Sequence, residues 1–105
     1  MKKCAILGAN GYIGKHLNYY LKCKGVSPMC YDIHDFVDVN YRQVDLTDKN
    51  SVKNIDLNVD YIFDFAGLTG TYAGFEKYEL YNSINELGLL NLLDAIKSSP
   101  YRPKI

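Results

Sequence analysis

Short apolar runs alternate with amphipathic stretches along this chain. Cys4-Ala5-Ile6-Leu7 is apolar and ends at a glycine, so residues 3–7 predict a first strand. Residues 12–24 predict a helix. Ile13, Leu17, Tyr20 and Leu21 recur at helical spacing, and Gly25 follows as a stop. Residues 26–31 predict a second strand with an irregular start, because Pro28 has no N–H for a ladder. Met29-Cys30-Tyr31 is its well-paired part. After a connection over 33–40, residues 41–45 predict a weak third strand. Thr47 or Asp48 can cap a short helix at about 49–55. Residues 60–66 predict a fourth strand, followed by a Gly- and Thr-rich loop over 67–75. A long helix then covers about 76–98. Its expected inner row is Leu80, Ile84, Leu87 and Leu90, flanked by Leu89, Leu92, Leu93 and Ile96, and Pro100 and Pro103 stop it.

Strands that alternate with helices predict an α/β fold, a parallel sheet with helices on both faces. Right-handed crossovers give the Rossmann-like strand order 3-2-1-4, with a ligand crevice between strands one and four at their carboxyl ends. The link from strand two to strand three is too short for a helical crossover, so a loop or a single turn is expected there.

Composition narrows the classes. A chain of 105 residues is at most one domain, and 48% hydrophobic residues suffice for a core. Twelve basic and twelve acidic residues cancel, which argues against a nucleic-acid partner. No run approaches the roughly 18 apolar residues of a membrane span. Met1-Lys2-Lys3 precedes an apolar run too short for a secretory leader. Cys4, Cys23 and Cys30 are odd in number and lack metal-ligand spacing, so they read as reduced thiols of a cytoplasmic protein without a metal site. The ten tyrosines are expected to have half-buried rings with solvated hydroxyls.

The chemistry concentrates in Gly8-Ala9-Asn10-Gly11-Tyr12-Ile13-Gly14, at the first strand-to-helix turn. Glycines permit the tight turn, a close backbone approach to phosphate, and close helix–strand packing. The helix N-terminus adds free N–H groups and a partial positive charge, which suits a dinucleotide pyrophosphate. Asp32 ends strand two at about the 20-residue offset expected for a carboxylate on the adenosine ribose. It would accept from the 2′- and 3′-hydroxyls and repel a 2′-phosphate, so NAD is expected over NADP. Asp35, Asp38 and His34 read as solvated loop residues.

The glycine spacing is G-x-x-G-x-x-G, with Asn10 and Ile13 where the simpler dinucleotide pattern needs glycine. In this it resembles the extended short-chain dehydrogenase/reductase family, which includes nucleotide-sugar epimerases and dehydratases. Tyr31-Asp32 looks like the family's ribose-binding strand end. Val44-Asp45-Leu46-Thr47-Asp48 is similar to its aspartate-leucine segment, and the resemblance implies that Asp45 meets the adenine amino group and Leu46 flanks the ring. Asp64-Phe65-Ala66-Gly67 resembles the apolar-Ala-Ala segment along the cofactor, with Gly67 in place of the second alanine. Asn85 to Leu93 resembles the asparagine-to-glycine stretch of the next helix. There Asn85 would be the structural asparagine, Gly88 would allow close packing, and Leu87, Leu90 and Leu93 would be core.

The implied cofactor-binding set is Gly8, Asn10, Gly11, Tyr12, Ile13, Gly14, Asp32, Asp45, Leu46, Phe65, Ala66, Gly67 and Asn85. The family's catalytic Tyr-x-x-x-Lys pair would lie beyond residue 105. Tyr20 to Lys24 match its letters but sit in the first helix, remote from the nicotinamide end of the crevice. Glu76 and Lys77 read as a solvated first helical turn rather than substrate contacts. Pro103-Lys104-Ile105 looks like the start of a fifth strand. Residues 1–105 are therefore expected to be the N-terminal part of an NAD(P)-binding Rossmann domain of a longer enzyme, catalytically incomplete alone. The longer enzyme would act on a nucleotide sugar. A same-family reductase or dehydrogenase, and a non-catalytic dinucleotide sensor, are the alternatives. An uncovered edge of strand four is expected to promote self-association.

Overall fold

Strand β1 (Cys4–Leu7) is buried along its whole length, and successive side chains of a strand leave on opposite faces. Ala5 and Leu7 therefore enter one core and Ile6 another. The computed structural model describes residues 2–34, 38–67 and 77–105, with only the backbone at 81–84. It places β1 in the middle of a four-stranded sheet with β2 (Met29–Asp32), β3 (Tyr41–Gln43) and β4 (Tyr61–Asp64). The order is β3-β2-β1-β4, and the pairings among these strands are parallel, as the alternation of elements predicts.

Helix α1 (Tyr12–Cys23) covers one face, where Leu17 and Leu21 pack on Ile6, Ala9 and Cys30. Its C-terminus closes as a Schellman motif. Gly25 has φ +81°, its N–H bonds Lys22 O, and the Val26 N–H reaches Leu21 O. On the opposite face lie α2 (Lys49–Val52), capped by the Asp48 carboxylate on the Asn50 N–H, and α4 (Gly88–Ser98). These cover Leu7, Tyr31, Val44, Ile62, Leu92 and Ile96. The long helix runs in three parts: α3 (Tyr78–Asn82), a wide π turn over Ser83–Leu87, then α4.

Two helix faces differ from the periodicity. On α1 the buried positions are Gly14 and Asn18, while Ile13 and Tyr20 are exposed. Gly14 must face the turn, because a Cβ there would lie 2.3 Å from Gly8 O, and this fixes the rotation of α1. On the long helix Leu80, Leu87, Leu90 and Leu93 are exposed rather than core, and Gly88, Asn91, Leu92 and Ile96 face inward. Gly88 sets that rotation by abutting Leu46, where an added Cβ would sit 3.1 Å from Leu46 Cβ. The side chain of Ile84 lies outside the described residues, as do Asp35, Glu76 and most of the Gly- and Thr-rich loop.

Tyr31 departs from the expectation for the tyrosines. It is buried, and its hydroxyl accepts the Asp56 N–H at 3.0 Å. Burial pushes that hydroxyl's pKa up. Asp38 also departs from a solvated reading, since its carboxylate is buried against Lys22 and Asn18 of α1. At the outer side of β4, Lys104 forms a parallel bridge with Tyr61. The Ile62 N–H bonds Lys104 O at 2.7 Å, and the Lys104 N–H bonds Asp60 O at 2.9 Å. The three cysteines are free thiols, with Cys4 and Cys30 buried and Cys23 exposed. Burial, helped by the nearby Asp38 charge, pushes Cys30 up to about 11.

Candidate functional site

The carboxyl ends of β1, β2 and β4 open onto one cleft of about 160 Å³. Its floor is the start of the glycine turn. Gly8 has φ +76°, and a Cβ there would meet Phe65 O at 2.6 Å, so only glycine fits between β1 and β4. The turn is sewn to β2, with the N–H groups of Gly8 and Ala9 both bonding Tyr31 O, at 2.8 and 3.1 Å. Gly11 caps α1 with no side-chain partner. The Lys15 N–H, on Gly11 O, makes the first bond of the helix. The N–H groups of Tyr12, Ile13 and Gly14 thus have no intrahelical acceptor. The first turn of α1 holds no acidic residue to compete for them.

Asp32 stands at the end of β2 beside this turn and is 9% exposed. Its Oδ2 accepts the Asn10 N–H at 2.9 Å, and its Oδ1 accepts the His34 N–H at 2.9 Å. Each oxygen keeps a lone pair for a further donor. The segment after Asp32 is held from β3. The Tyr41 hydroxyl lies between the carbonyls of Asp32 and His34, which share its single proton, and Gln43 Nε2 donates to Ile33 O at 2.8 Å. His34 is exposed at the cleft rim.

The opposite wall is Val44-Asp45-Leu46-Thr47. The Val44 N–H bonds Asp32 O at 2.8 Å, and the Asp45 N–H bonds Ser51 Oγ at 2.8 Å. Asp45 Oδ1 accepts both the Thr47 N–H and its hydroxyl. Sequence reasoning missed the last tie. Asn91, buried on α4, donates Nδ2 to Leu46 O at 2.8 Å. Its polar side chain among the leucines of an amphipathic helix was the available signal.

Phe65, Ala66 and Gly67 form the third side. A Cβ at Gly67 would approach Asn85 Oδ1 to 2.7 Å, so glycine at this position leaves room for the Asn85 amide on the π turn. Asp64, at the base of this segment, accepts the Ala66 N–H through Oδ1. Its pKa is raised by burial, only partly offset by that bond.

The structure thus brings Gly8, Asp32, Asp45, Leu46, Phe65, Ala66 and Gly67 to one cleft. Asn10, Gly11, Tyr12, Ile13 and Gly14 stand along the adjoining turn and helix start, and the side chains of Tyr12 and Ile13 point to solvent. Only their backbones are available to the turn. Asn85 lies behind Gly67. Tyr20 and Lys24 are not cleft residues, and Lys24 stacks over the exposed Tyr20 ring at 5.5 Å. No Lys or Arg lines the cleft among the described residues. Among them, too, there is no cluster of metal-ligating side chains and no helix long and apolar enough to cross a membrane.

A glycine turn offering unpaired N–H groups beside a buried strand-end carboxylate fits the adenosine diphosphate half of a dinucleotide. The model of the NAD dependent epimerase/dehydratase family matches residues 4–104. The chain belongs to this family. No curated protein matches it by sequence at a significant level. Solved structures do match. UDP-glucose 4-epimerase of Thermus thermophilus, in complex with NAD, aligns with TM-score 0.79 and 25% identity over 90% of this chain and 33% of that one. L-threonine dehydrogenase of Phytophthora infestans aligns with TM-score 0.81 and 26% identity over 98% of this chain and 34% of that one. A mutant uronate dehydrogenase of Agrobacterium tumefaciens, complexed with NAD, aligns with TM-score 0.72 and 25% identity over 93% of this chain and 37% of that one. The chain spans about a third of the length of these structures.

Proposed function

We propose that this chain is the NAD-binding part of a nucleotide-sugar epimerase or dehydratase. The observation that carries the reading is Asp32, buried at the end of β2, bonded to the glycine turn through the Asn10 N–H, in a cleft where no described residue is Lys or Arg. The N–H groups of Tyr12, Ile13 and Gly14 would hold the pyrophosphate, and Asp32 the adenosine ribose hydroxyls. Asp45 would meet the adenine amino group, with Leu46 against the ring. Phe65, Ala66 and Gly67 would line the path toward the nicotinamide, with Asn85 supporting Gly67. When bound, NAD supplies the hydride acceptor. The acid/base pair for the sugar would come from outside these 105 residues.

A family reductase or dehydrogenase is the second reading, favoured by the similarity to L-threonine and uronate dehydrogenases. The nucleotide-sugar reading draws on the similarity to UDP-glucose 4-epimerases. Titration calorimetry with NAD and NADP tests the cofactor. NAD is expected to bind at least about tenfold more tightly, because a 2′-phosphate would meet the Asp32 carboxylate unpaired. The gap should close in Asp32→Ala. NADP binding as tightly as NAD to the wild-type chain would overturn the assignment.

We further propose self-association along β4. Lys104 covers the edge at Tyr61, and no other strand pairs with the outer side of β4 among the described residues. Light scattering should report a mass above the monomer's 12.0 kDa at high concentration, and a monodisperse monomer would refute the idea.

A further inference from the structure

We infer that Asn91 is a positioning residue for the adenine end of the cleft, an inference that rests on the NAD reading above. Past Gln43 the chain leaves β3, the end strand of the described sheet, so among the described residues the Leu46 carbonyl has no strand neighbour to supply a donor. Leu46 is nevertheless buried, and a buried carbonyl needs a partner. Asn91 Nδ2 provides it at 2.8 Å across 45 positions of sequence. One turn earlier on the same helix, Gly88 abuts the Leu46 side chain, where an added Cβ would press on Leu46 Cβ at 3.1 Å.

Helix α4 thus holds Leu46 twice, by a directed bond to its backbone and by contact with its side chain. Burial alone would be served as well by another leucine, of which this helix has several. An amide at position 91 carries a desolvation cost that is offset only through its hydrogen bond. What that bond adds is direction. It fixes the peptide between Leu46 and Thr47, both of which line the cleft, while the Asp45 carboxylate is fixed locally on Thr47. The wall that would read the base is therefore set by α4, whereas the pyrophosphate turn is set by α1 and β1.

Equilibrium binding of ADP, GDP and inorganic pyrophosphate separates the two. In Asn91→Leu and Asn91→Asp, ADP affinity should fall roughly three- to tenfold, the span of one lost hydrogen bond. The preference for ADP over GDP should shrink, and pyrophosphate binding should stay within about twofold, below the loss of a whole bond. Gly88→Ala, which presses on the same wall without touching Asn91, should give the same selective loss and carries the test if an Asn91 variant fails to fold. An equal loss for all three ligands, or an unchanged ADP-to-GDP ratio, would overturn the role. A folded wild-type chain that binds pyrophosphate but no ADP would instead overturn the NAD reading on which it rests.

Discussion

On one face of the sheet, α2 and α4 enclose ten buried apolar residues, from Ala5 to Ile96; on the other, α1 covers three, Ile6, Ala9 and Cys30, among the described residues. The first face is held by side-chain volume. Tyr31, Leu7, Ile62 and Leu92 are almost wholly excluded from water. The second is held by close backbone approach, with Gly14 against Gly8 and Ala9, and by half-buried Leu17 and Leu21. The difference matches what each face carries. The thick face fixes the Asp45–Thr47 wall through α4. The thin face needs the start of α1 near the sheet with its N–H groups open, which glycine permits and bulky side chains would prevent.

Thermal unfolding of single variants would sharpen that contrast. Leu92→Ala, on the thick face, should cost the most, about 2–5 kcal/mol, since it empties a fully buried site. Gly14→Ala should cost about 1–3 kcal/mol, because its methyl meets the Gly8 carbonyl and the two backbones must part. Leu17→Ala should cost only about 1 kcal/mol, the worth of a half-buried side chain. If Leu17→Ala proved as costly as Leu92→Ala, the thin face would be a full core and the comparison would fail.

The smallest expected effects are those of two carboxylates whose shifts have opposite sign. Asp64, on the Ile62 side of β4, has its pKa raised in the fold by burial. The folded protein then holds that proton more tightly than the unfolded chain, so the associated stability is present at low pH and lost as pH rises through the folded value. Asp64→Asn should therefore raise the melting temperature at pH 7, with the gain vanishing in acid. At Asp38, burial works upward, but bonds from Lys22, the Asn40 N–H and Asn18 outweigh it and hold the carboxyl below the usual range. Its stabilisation is present above the ordinary carboxylate pKa and lost as pH falls toward the folded value. Asp38→Asn should lower the melting temperature at pH 7 and lose its effect in acid. Parallel pH dependence of the two variants would contradict these environments.

Local chemistry was legible wherever it depended on a few adjacent residues. Pro28 placed the irregular start of β2, Gly25 ended α1, and Asp48 was one of two candidate caps and supplies the bond. Gly8 and Gly14 announced the turn because no other residue fits there. Helix rotation was less legible. The apolar spacing predicts an inner row of Leu80, Ile84, Leu87 and Leu90, yet its three leucines are exposed. A periodic pattern shows that a helix has an apolar stripe, but in a leucine-rich helix several stripes compete. The contact that selects among them, Gly88 against Leu46, is long-range.

The sequence by itself determined the strand order, the glycine turn and the carboxylate at the end of β2, because crossover handedness and the lack of a Cβ act locally. Only the tertiary structure decided that Tyr31 is buried with its hydroxyl on the Asp56 N–H, that the Asp38 carboxylate is held by Lys22 and Asn18 of α1, and that Asn91 holds the Leu46 carbonyl. Each of these joins positions far apart in the chain. A buried polar group finds its partner by proximity in space, which no spacing along the sequence records.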